Sequence, residues 1–234
     1  MQELKKIVII GPESTGKSTL SAQLAEYFNT IWCPEYAREY LTKHGKEYSY
    51  DNLLTIAKGQ LALEDECVMK MENGEWGMEN NQKTKNKENS TDFSSFNYHP
   101  QSFTVLQSPL TTRSQSSVLN SPLIFIDTNM YVMKVWCEYV FGKCHQFILD
   151  EIVNREYDLY LLCNIDLPWI ADELREYPAE EPRKELYNIY KDILINQNTP
   201  WVEISGNYEE RLQKAIESVN AGCQTLMSAH SKSV

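Results

Sequence analysis

The chain has 234 residues, with 33 acidic and 22 basic side chains and a formal net charge of -11 at pH 7. This balance argues against a nucleic-acid groove, because phosphate backbones are bound by clustered Lys and Arg side chains. No apolar run approaches the roughly 18 residues that a membrane span requires. The length suits one α/β domain with a sizeable core, or such a domain with an insertion. We therefore expect neither a nucleic acid nor a membrane as a partner.

The cysteines and the N-terminus bear on the compartment in which the chain works. The six cysteines show no Cys-x-x-Cys spacing, and most lie among apolar residues, which is typical of reduced, packed thiols in a reducing cytosol. The first apolar run begins at residue 7, which leaves no room for a signal peptide before it. These features predict a cytoplasmic protein.

The first predicted strand leads into a phosphate-binding loop. Residues 7–10 (Ile-Val-Ile-Ile) form an apolar run typical of a buried parallel strand. Residues 11–18 (Gly-Pro-Glu-Ser-Thr-Gly-Lys-Ser) fit the Walker A pattern G-x-x-x-x-G-K-[ST]. Behind them Leu20, Leu24 and Phe28 recur at helical spacing, so a helix is predicted to start at the loop. This order of strand, loop and helix is the context that the motif requires.

Each part of this loop has a predicted role in nucleotide binding. The glycines let the backbone turn tightly and bring its N–H groups against phosphate oxygens, while the helix N-terminus adds a positive dipole end. Lys17 is expected to reach the β- and γ-phosphates, and the Ser18 hydroxyl is expected to bind Mg²⁺. The predicted nucleotide-binding residues are Gly11, Glu13, Ser14, Thr15, Gly16, Lys17, Ser18 and Thr19.

A polar cluster follows the second predicted strand. Residues 30–33 form that strand, Pro34 ends it, and residues 35–40 (Glu-Tyr-Ala-Arg-Glu-Tyr) come next. The carboxyl ends of parallel strands form the edge at which α/β sheets bind ligands. Glu35 and Arg38 are therefore candidate site residues. The alternative is that Glu35 only caps the following helix and Arg38 pairs with it.

The middle of the chain changes in composition. Residues 50–71 show an amphipathic helical pattern. From about residue 72 to residue 121, Asn, Gln, Ser, Thr and Lys dominate without a sustained period. Such a stretch is too long for an ordinary connection, so a flexible, low-complexity insertion is predicted at about 72–121. It interrupts a single phosphate-loop domain over residues 1–223, and residues 224–234 are predicted to be a loose tail.

The third predicted strand ends in a carboxylate. Residues 123–126 are apolar and Asp127 follows them, which matches the second acidic element of phosphate-loop enzymes, whose Asp lies beside Mg²⁺. Ser18 and Asp127 are therefore the candidate metal ligands. A helix is predicted over residues 131–141.

The last part of the chain completes the predicted sheet. Residues 159–163 and 201–204 are predicted strands, and residues 184–195 and 208–219 are predicted helices. Five strands that alternate with helices indicate a doubly wound, five-stranded parallel sheet of the α/β class, in a P-loop NTPase fold.

A charged segment at residues 172–183 follows the fourth predicted strand. It contains Arg175 and Arg183. Two interpretations stay open: a solvated loop, or a lid whose arginines neutralise charge on a transferring phosphate and exclude water.

Together these segments resemble the ribosylnicotinamide kinase domain of NadR in a stand-alone form. The resemblance rests on residues 11–18, on residues 35–40, on residues 125–128 (Phe-Ile-Asp-Thr) and on residues 166–169 (Asp-Leu-Pro-Trp). It covers roughly residues 4–71 and 122–220. It implies a kinase of the nucleoside and nucleotide kinase type that uses ATP and Mg²⁺ to phosphorylate nicotinamide riboside at its 5′-hydroxyl. The product would be nicotinamide mononucleotide, for NAD synthesis.

The resemblance also implies roles for particular residues. Glu35 would be the general base or a group that positions the substrate hydroxyl, with Arg38 beside it. Asp127 would hold Mg²⁺, although the roles of Glu35 and Asp127 are exchangeable at this stage. Tyr36 or Trp136 would stack on the nicotinamide ring, and simple core packing is the alternative for Trp136. The candidate catalytic set is Lys17, Glu35, Asp127, Arg175 and Arg183, the two arginines lying on the lid.

Two other functions remain compatible with these residues. One is a kinase of another nucleoside or small hydroxylated metabolite, with the same phosphate machinery and a different pocket. The other is a non-catalytic, ATP-gated binding module. The sequence predicts a small-molecule partner in the kinase case and contains no pattern that predicts an oligomeric state.

Overall fold

The computed structural model of the chain describes residues 3–74, 122–171 and 173–230. From residue 75 onward the predicted insertion lies outside the described residues, as do residues 231–234 at the end of the predicted tail. Among the described helices, none is both long and apolar enough to cross a lipid bilayer.

Five parallel strands form the central sheet. They are β1 (Lys5–Ile10), β2 (Ile31–Cys33), β3 (Leu123–Asp127), β4 (Leu159–Cys163) and β5 (Trp201–Ile204). Their order across the sheet is β2-β3-β1-β4-β5, and each neighbouring pair is parallel. The predicted five-stranded parallel sheet is confirmed, and β1, which carries the phosphate loop, lies at its centre.

Helices cover both faces of the sheet. They are α1 (Lys17–Phe28), α2 (Tyr36–His44), α3 (Tyr50–Glu72), α4 (Met130–Phe141), α5 (Gln146–Asn154), α6 (Glu180–Ile195) and α7 (Tyr208–His230). Helices α1 and α7 pack on one face, while α3, α4 and α6 pack on the other. A third apolar cluster joins α2, α3, α4 and α5 beside the sheet.

The alternation of side chains along β1 explains why this strand is apolar throughout. Ile7 and Ile9 enter the cluster with α1 and α7, whereas Val8 and Ile10 enter the opposite cluster. All four are at most 1% exposed. A strand covered by helices on both faces has no solvent-facing positions, so it cannot alternate between apolar and polar residues.

Helix α6 begins earlier than predicted. It starts at Glu180 rather than Lys184, and Pro182 lies in its first turn. Proline is tolerated there because the first N–H groups of a helix have no partner within it. As a result Arg183 belongs to a helix and not to the loop that precedes it.

The prediction for the last helix also needs correction. Helix α7 does not end at Val219 but continues to His230, so part of the predicted loose tail at 224–234 is helical. Gly222 suggested an end, but glycine costs a helix only about 1 kcal/mol relative to Ala. The residues that follow include Gln224, Leu226 and Met227, which are good helix formers. Helix α5 was not predicted, because it is short and only Ile148 in it is fully buried.

Candidate nucleotide and substrate site

Two glycines allow the phosphate loop to pass close to the neighbouring strand. Gly11 has φ of +142°, and a Cβ atom there would lie 2.7 Å from the carbonyl oxygen of Cys163 at the end of β4. Gly16 has φ of +79° and is the N-cap of α1. Side chains other than hydrogen are strained in such conformations. The glycines of the motif are therefore required by the close approach of the loop to the sheet as well as by its turn.

Internal hydrogen bonds hold the loop in shape. The Thr15 hydroxyl donates to the Pro12 carbonyl at 2.8 Å, and the Lys17 ammonium donates to the same oxygen at 2.9 Å. Ser14 has φ of +56°, which is uncommon for a residue with a side chain. Because its ammonium group bonds the Pro12 carbonyl, Lys17, which is predicted to contact phosphate, lies folded over the loop.

Asp127 is a buried carboxylate at the carboxyl edge of the sheet. In the register of β1 and β3 it stands opposite Ile9, the penultimate residue before the phosphate loop. Its relative exposure is 0%, and neither carboxylate oxygen accepts a hydrogen bond of normal geometry. The pKa of Asp127 is raised to about 7, and burial of the carboxyl group is the largest cause. Such an unpaired buried carboxylate is costly for the fold unless it meets a positive charge.

The charges that act on Asp127 identify its neighbours. After burial, the negative charge of Glu35 is the next cause that raises its pKa, whereas Lys17, the Ser18 hydroxyl and Arg38 lower it. The structure therefore brings together five residues that were predicted from separate parts of the sequence. This follows from the topology, because β1, β2 and β3 are adjacent and parallel and end at one edge.

Ser18 and Asp127 have the chemistry of a magnesium site. A hydroxyl lies beside a carboxylate with two unused oxygens, and Mg²⁺ prefers oxygen ligands. Within the described residues there is no group of three or more His, Cys, Asp or Glu that could hold a metal. This agrees with the usual way in which Mg²⁺ is held, by one or two protein groups together with substrate phosphates and water.

Glu35 stands at the corner between β2 and α2. It is the N-cap residue of α2, but its side chain makes no capping hydrogen bond. The Glu35 side chain therefore does not act as a cap, and the site roles of Glu35 and Arg38 stay predictions. The Glu35 carboxylate is half-buried and close enough to act on Asp127.

The segment after β4 lies on the phosphate loop. The backbone N–H of Ile170 and the guanidinium of Arg175 both donate to the Ser14 hydroxyl, at 3.0 and 3.2 Å. The carboxylate of Glu13 accepts the backbone N–H of Glu176 at 2.9 Å. These contacts favour the lid interpretation over a solvated loop. They also direct the Glu13 side chain to the lid, although the residue was predicted to bind nucleotide.

Arg183 was predicted on the lid but lies beneath it. It is in the first turns of α6, is 4% exposed, and donates to the carbonyl oxygens of Ile165 and Leu167 at 3.4 Å. Burial is the largest cause that lowers its pKa, and the nearby charge of Glu13 raises it. The lid position is thus wrong for Arg183 because the helix starts before Pro182. A catalytic role for this side chain stays a prediction.

The two candidate stacking residues are both engaged with other aromatic or backbone groups. The Trp136 indole N–H donates to the Tyr48 hydroxyl at 2.8 Å, and the two rings meet edge to face. The Tyr48 hydroxyl in turn donates to the carboxylate of Glu176 at 3.0 Å. The Tyr36 ring lies directly on the backbone of α3 at Gly59. Stacking on a nicotinamide ring stays a prediction for Tyr36 and Trp136.

Sequence reasoning missed a buried arginine that supports the phosphate loop. Arg211 in α7 is 2% exposed. Its guanidinium donates to the carbonyls of Thr15, Gly206 and Asn164 at 2.8, 2.8 and 2.9 Å, and it pairs with Asp166. One side chain therefore ties the phosphate loop to the loops that follow β4 and β5. The only local signal is a basic residue after two acidic ones at a helix start, which does not stand out.

A family model and a curated relative match most of the chain. The family model, described as an AAA domain, matches residues 6–94 and 78–211. The protein "Trifunctional NAD biosynthesis/regulator protein NadR" of Escherichia coli (strain K12) is 27% identical over 221 residues, which cover 92% of this chain and 42% of that protein. The chain thus spans less than half the length of this relative.

Solved structures with the same fold include two of NadR. A crystal structure of NadR protein in complex with NR has a TM-score of 0.61 at 21% identity and covers 94% of this chain and 50% of that one. NadR in complex with NAD and AMP-PNP has a TM-score of 0.56 at 19% identity, with coverages of 94% and 49%. Thymidylate kinase from Ehrlichia chaffeensis has a TM-score of 0.51 at 13% identity, with coverages of 92% and 98%. The predicted P-loop kinase fold is confirmed.

Proposed function

This chain belongs to the AAA domain family, and on that premise we propose that it is an ATP-dependent kinase that phosphorylates nicotinamide riboside at its 5′-hydroxyl. The product is nicotinamide mononucleotide, a precursor of NAD. Sequence similarity to the NadR proteins supports this substrate, as does the fold shared with NadR bound to NR and with NadR bound to AMP-PNP.

One observation carries the proposal: the charges of Glu35 and of the phosphate-loop lysine both act on the buried carboxylate of Asp127. Glu35 acts on Asp127 from the end of β2, and Lys17 acts on the same carboxylate from the start of α1. A nucleotide held by the loop would present its γ-phosphate at this edge. An acceptor hydroxyl would then lie between that phosphate and Glu35.

The residues of the chain divide the work of phosphoryl transfer. The loop from Gly11 to Ser18, with Thr19 behind it, binds the ATP phosphates, and Lys17 neutralises their charge. Asp127 and Ser18 would hold Mg²⁺, which, when bound, would reduce the negative charge on the phosphate oxygens. Glu35 aligns the 5′-hydroxyl and accepts its proton, with Arg38, Tyr36 and Trp136 around the nucleoside. Alignment matters most because the loose transition state demands little covalent help.

The lid supplies the remaining part of the site. Arg175 donates to Ser14 in the phosphate loop, so its positive charge lies within reach of bound phosphates. A lid that covers the phosphates excludes water, which would otherwise accept the phosphoryl group. Arg183 adds a buried positive charge beneath the lid.

The test is the initial rate of ADP formation by the purified protein with ATP and Mg²⁺. Nicotinamide riboside is compared with a panel of ribonucleosides and deoxyribonucleosides, and Lys17→Ala and Asp127→Ala serve as inactive controls. We expect nicotinamide riboside to stimulate ADP formation in the wild type alone. Stimulation by another nucleoside would replace the substrate and keep the mechanism. Silence across the panel with intact ATP binding would favour a binding module, and activity within a few-fold of wild type in either control would overturn the site assignment.

A further inference from the structure

We propose that Gln60 is a positioning residue that holds Glu35 in place by clamping the peptide groups on both sides of it. The inference rests on the proposed function, in which Glu35 aligns the acceptor hydroxyl. It assigns a role to a residue of α3 that lies 25 positions from Glu35 in sequence and has no contact with the phosphate loop among those described for it.

The Gln60 amide makes three hydrogen bonds, of which two form the clamp; the third runs from its nitrogen to the Cys33 Sγ at 3.5 Å. The Gln60 side-chain oxygen accepts the backbone N–H of Tyr36 at 2.7 Å. Its side-chain nitrogen donates to the carbonyl of Pro34 at 3.1 Å. Gln60 is 1% exposed, so water does not compete for these bonds. The residues immediately before and after Glu35 are thus fixed by the same side chain.

The Glu35 carboxylate is not used as a helix cap. An N-cap side chain usually turns back to accept the backbone N–H of the second or third helical residue, but the Glu35 side chain makes no such bond. Gln60 accepts the N–H of Tyr36, the first residue of α2, and so fixes the backbone next to Glu35. The carboxylate instead acts on Asp127 at the edge of the sheet.

Gly59, the residue before Gln60, also constrains this corner, because the ring of Tyr36 packs against it. A Cβ atom at position 59 would lie 2.1 Å from the Tyr36 ring, a distance that no real structure tolerates. Gly59 therefore allows the ring to lie against the backbone of α3. Two consecutive residues of α3 thus hold the backbone and the side chain of Tyr36. The backbone of Glu35, from which its carboxylate extends, is therefore fixed in position. Catalytic groups must be held within about 0.5 Å of the productive geometry.

A purely structural role would have different consequences. Removing a buried amide that only satisfies backbone groups lowers Tm without a specific effect on turnover. Loss of a positioning residue also lowers turnover in protein that is fully folded. The loss appears in the kinetic constants for the nucleoside and not in those for ATP. Measurements of kcat, of the KM values for nucleoside and ATP, and of Tm separate the two roles.

The variants are Gln60→Leu and Gln60→Glu. The first removes all three bonds at similar size, and the second keeps the acceptor for Tyr36 and loses the donor to Pro34 and Cys33. Gln197→Leu is the matched control. Its amide clamps the turn before β5 through the N–H and carbonyl of Thr199, both at 2.6 Å, at the opposite end of the sheet. Each variant is assayed for nucleoside-dependent ADP formation and for ATP affinity by calorimetry.

We expect Gln60→Leu to lower kcat/KM for the nucleoside by about 10²-fold, the size of a misalignment effect, with ATP affinity within twofold of wild type. Gln60→Glu should lose less, and Gln197→Leu should lower Tm without lowering kcat. A folded Gln60→Leu or Gln60→Glu protein with wild-type kcat/KM would overturn the inference, as would an equal loss of ATP affinity. A wild type that no nucleoside stimulates would instead overturn the proposed function.

A measurement on the wild type covers the case in which neither variant folds. The Tyr36 amide should exchange slowly with deuterium, because its hydrogen is bonded to a buried side chain. Rapid exchange of this amide in the intact protein would show that the clamp does not hold the corner, whatever the variants do.

Discussion

The carboxylate of Glu13 in the phosphate loop accepts the backbone N–H of Glu176 at 2.9 Å. The N–H of Tyr177 donates to the other oxygen of the same carboxylate. Two consecutive peptide groups of the lid thus rest on one side chain of the motif. Glu13, a residue of the phosphate loop, therefore also anchors the lid segment that lies over this loop.

Replacing Glu13 by Ala should loosen the lid. Two charge-assisted hydrogen bonds are lost at a partly exposed site, which corresponds to about 1–2 kcal/mol. We expect faster proteolysis within residues 173–179 and a kcat lower by about tenfold. Limited proteolysis with mass spectrometry and steady-state kinetics check this, with Glu26→Ala on the exposed side of α1 as the control. Unchanged cleavage and unchanged kcat in Glu13→Ala would show that the lid is held by other contacts.

The buried Asp127 should make the nucleotide-free protein less stable as the pH rises. Its pKa is raised from 3.8 to about 7 in the folded state. Below pH 4 both states are protonated, and between pH 4 and 7 only the unfolded state loses its proton, so the folded state loses relative stability. Asp127→Asn should therefore stabilise the fold while it abolishes turnover. With 1.36 kcal/mol per pKa unit, the gain should be about 2 kcal/mol larger at pH 8 than at pH 5.5.

Urea unfolding at the two pH values, with a chelator and without nucleotide, measures this difference. Glu217→Gln on the exposed side of α7 controls for the change in net charge. An Asp127→Asn protein that is less stable than wild type at pH 8 would contradict the burial of an unpaired carboxylate.

Arg211 should be among the residues on which the fold depends most. Its guanidinium is buried and serves three carbonyls and the Asp166 carboxylate. Arg211→Leu leaves all of them without this partner, and the breaking of such a buried pair typically costs about 3–5 kcal/mol. Urea unfolding measures the loss, and Lys214→Leu on the exposed side of α7 is the control. Arg211→Lys should rescue little, since an ammonium cannot reproduce the planar fork.

Tyr48 connects Trp136, which is proposed to lie beside the nucleoside, to the lid. Its hydroxyl accepts from Trp136 and donates to Glu176. Tyr48→Phe keeps the ring and removes both bonds, so we expect the nucleoside KM to rise about three- to tenfold while ATP affinity stays constant. Tyr27→Phe, at a ring that is 52% exposed on α1, is the control. A nucleoside KM equal to that of wild type would show that the bridge does not shape the substrate region.

The centre of the sheet was predictable because its three central strands are covered on both faces. The apolar runs at residues 7–10, 123–126 and 159–163 coincide with β1, β3 and β4 to within two residues. Helix ends were less predictable. Pro182 and Gly222 suggest breaks in sequence, but the first turn of a helix accepts proline, and the good helix formers after Gly222 outweigh the cost of a single glycine.

The candidate site was predictable where its parts are local. The phosphate loop and Asp127 follow apolar strands at positions that the topology brings to one edge. The supporting residues were not predictable in this way. Arg211 acts on the backbone of Thr15, and Gln60 acts on the backbone on either side of Glu35. A side chain that binds distant backbone atoms leaves no motif, because any sequence supplies those atoms.

The most direct test of the account is the identity of the phosphorylated product. The wild-type protein is incubated with ATP, Mg²⁺ and nicotinamide riboside, and ADP and the nucleoside product are followed by phosphorus NMR and mass spectrometry. The account predicts one nicotinamide mononucleotide, phosphorylated at the 5′ position, for each ADP formed, and neither product with Lys17→Ala. ADP that forms without a phosphorylated nucleoside, or a phosphate at another position of the ribose, would contradict it.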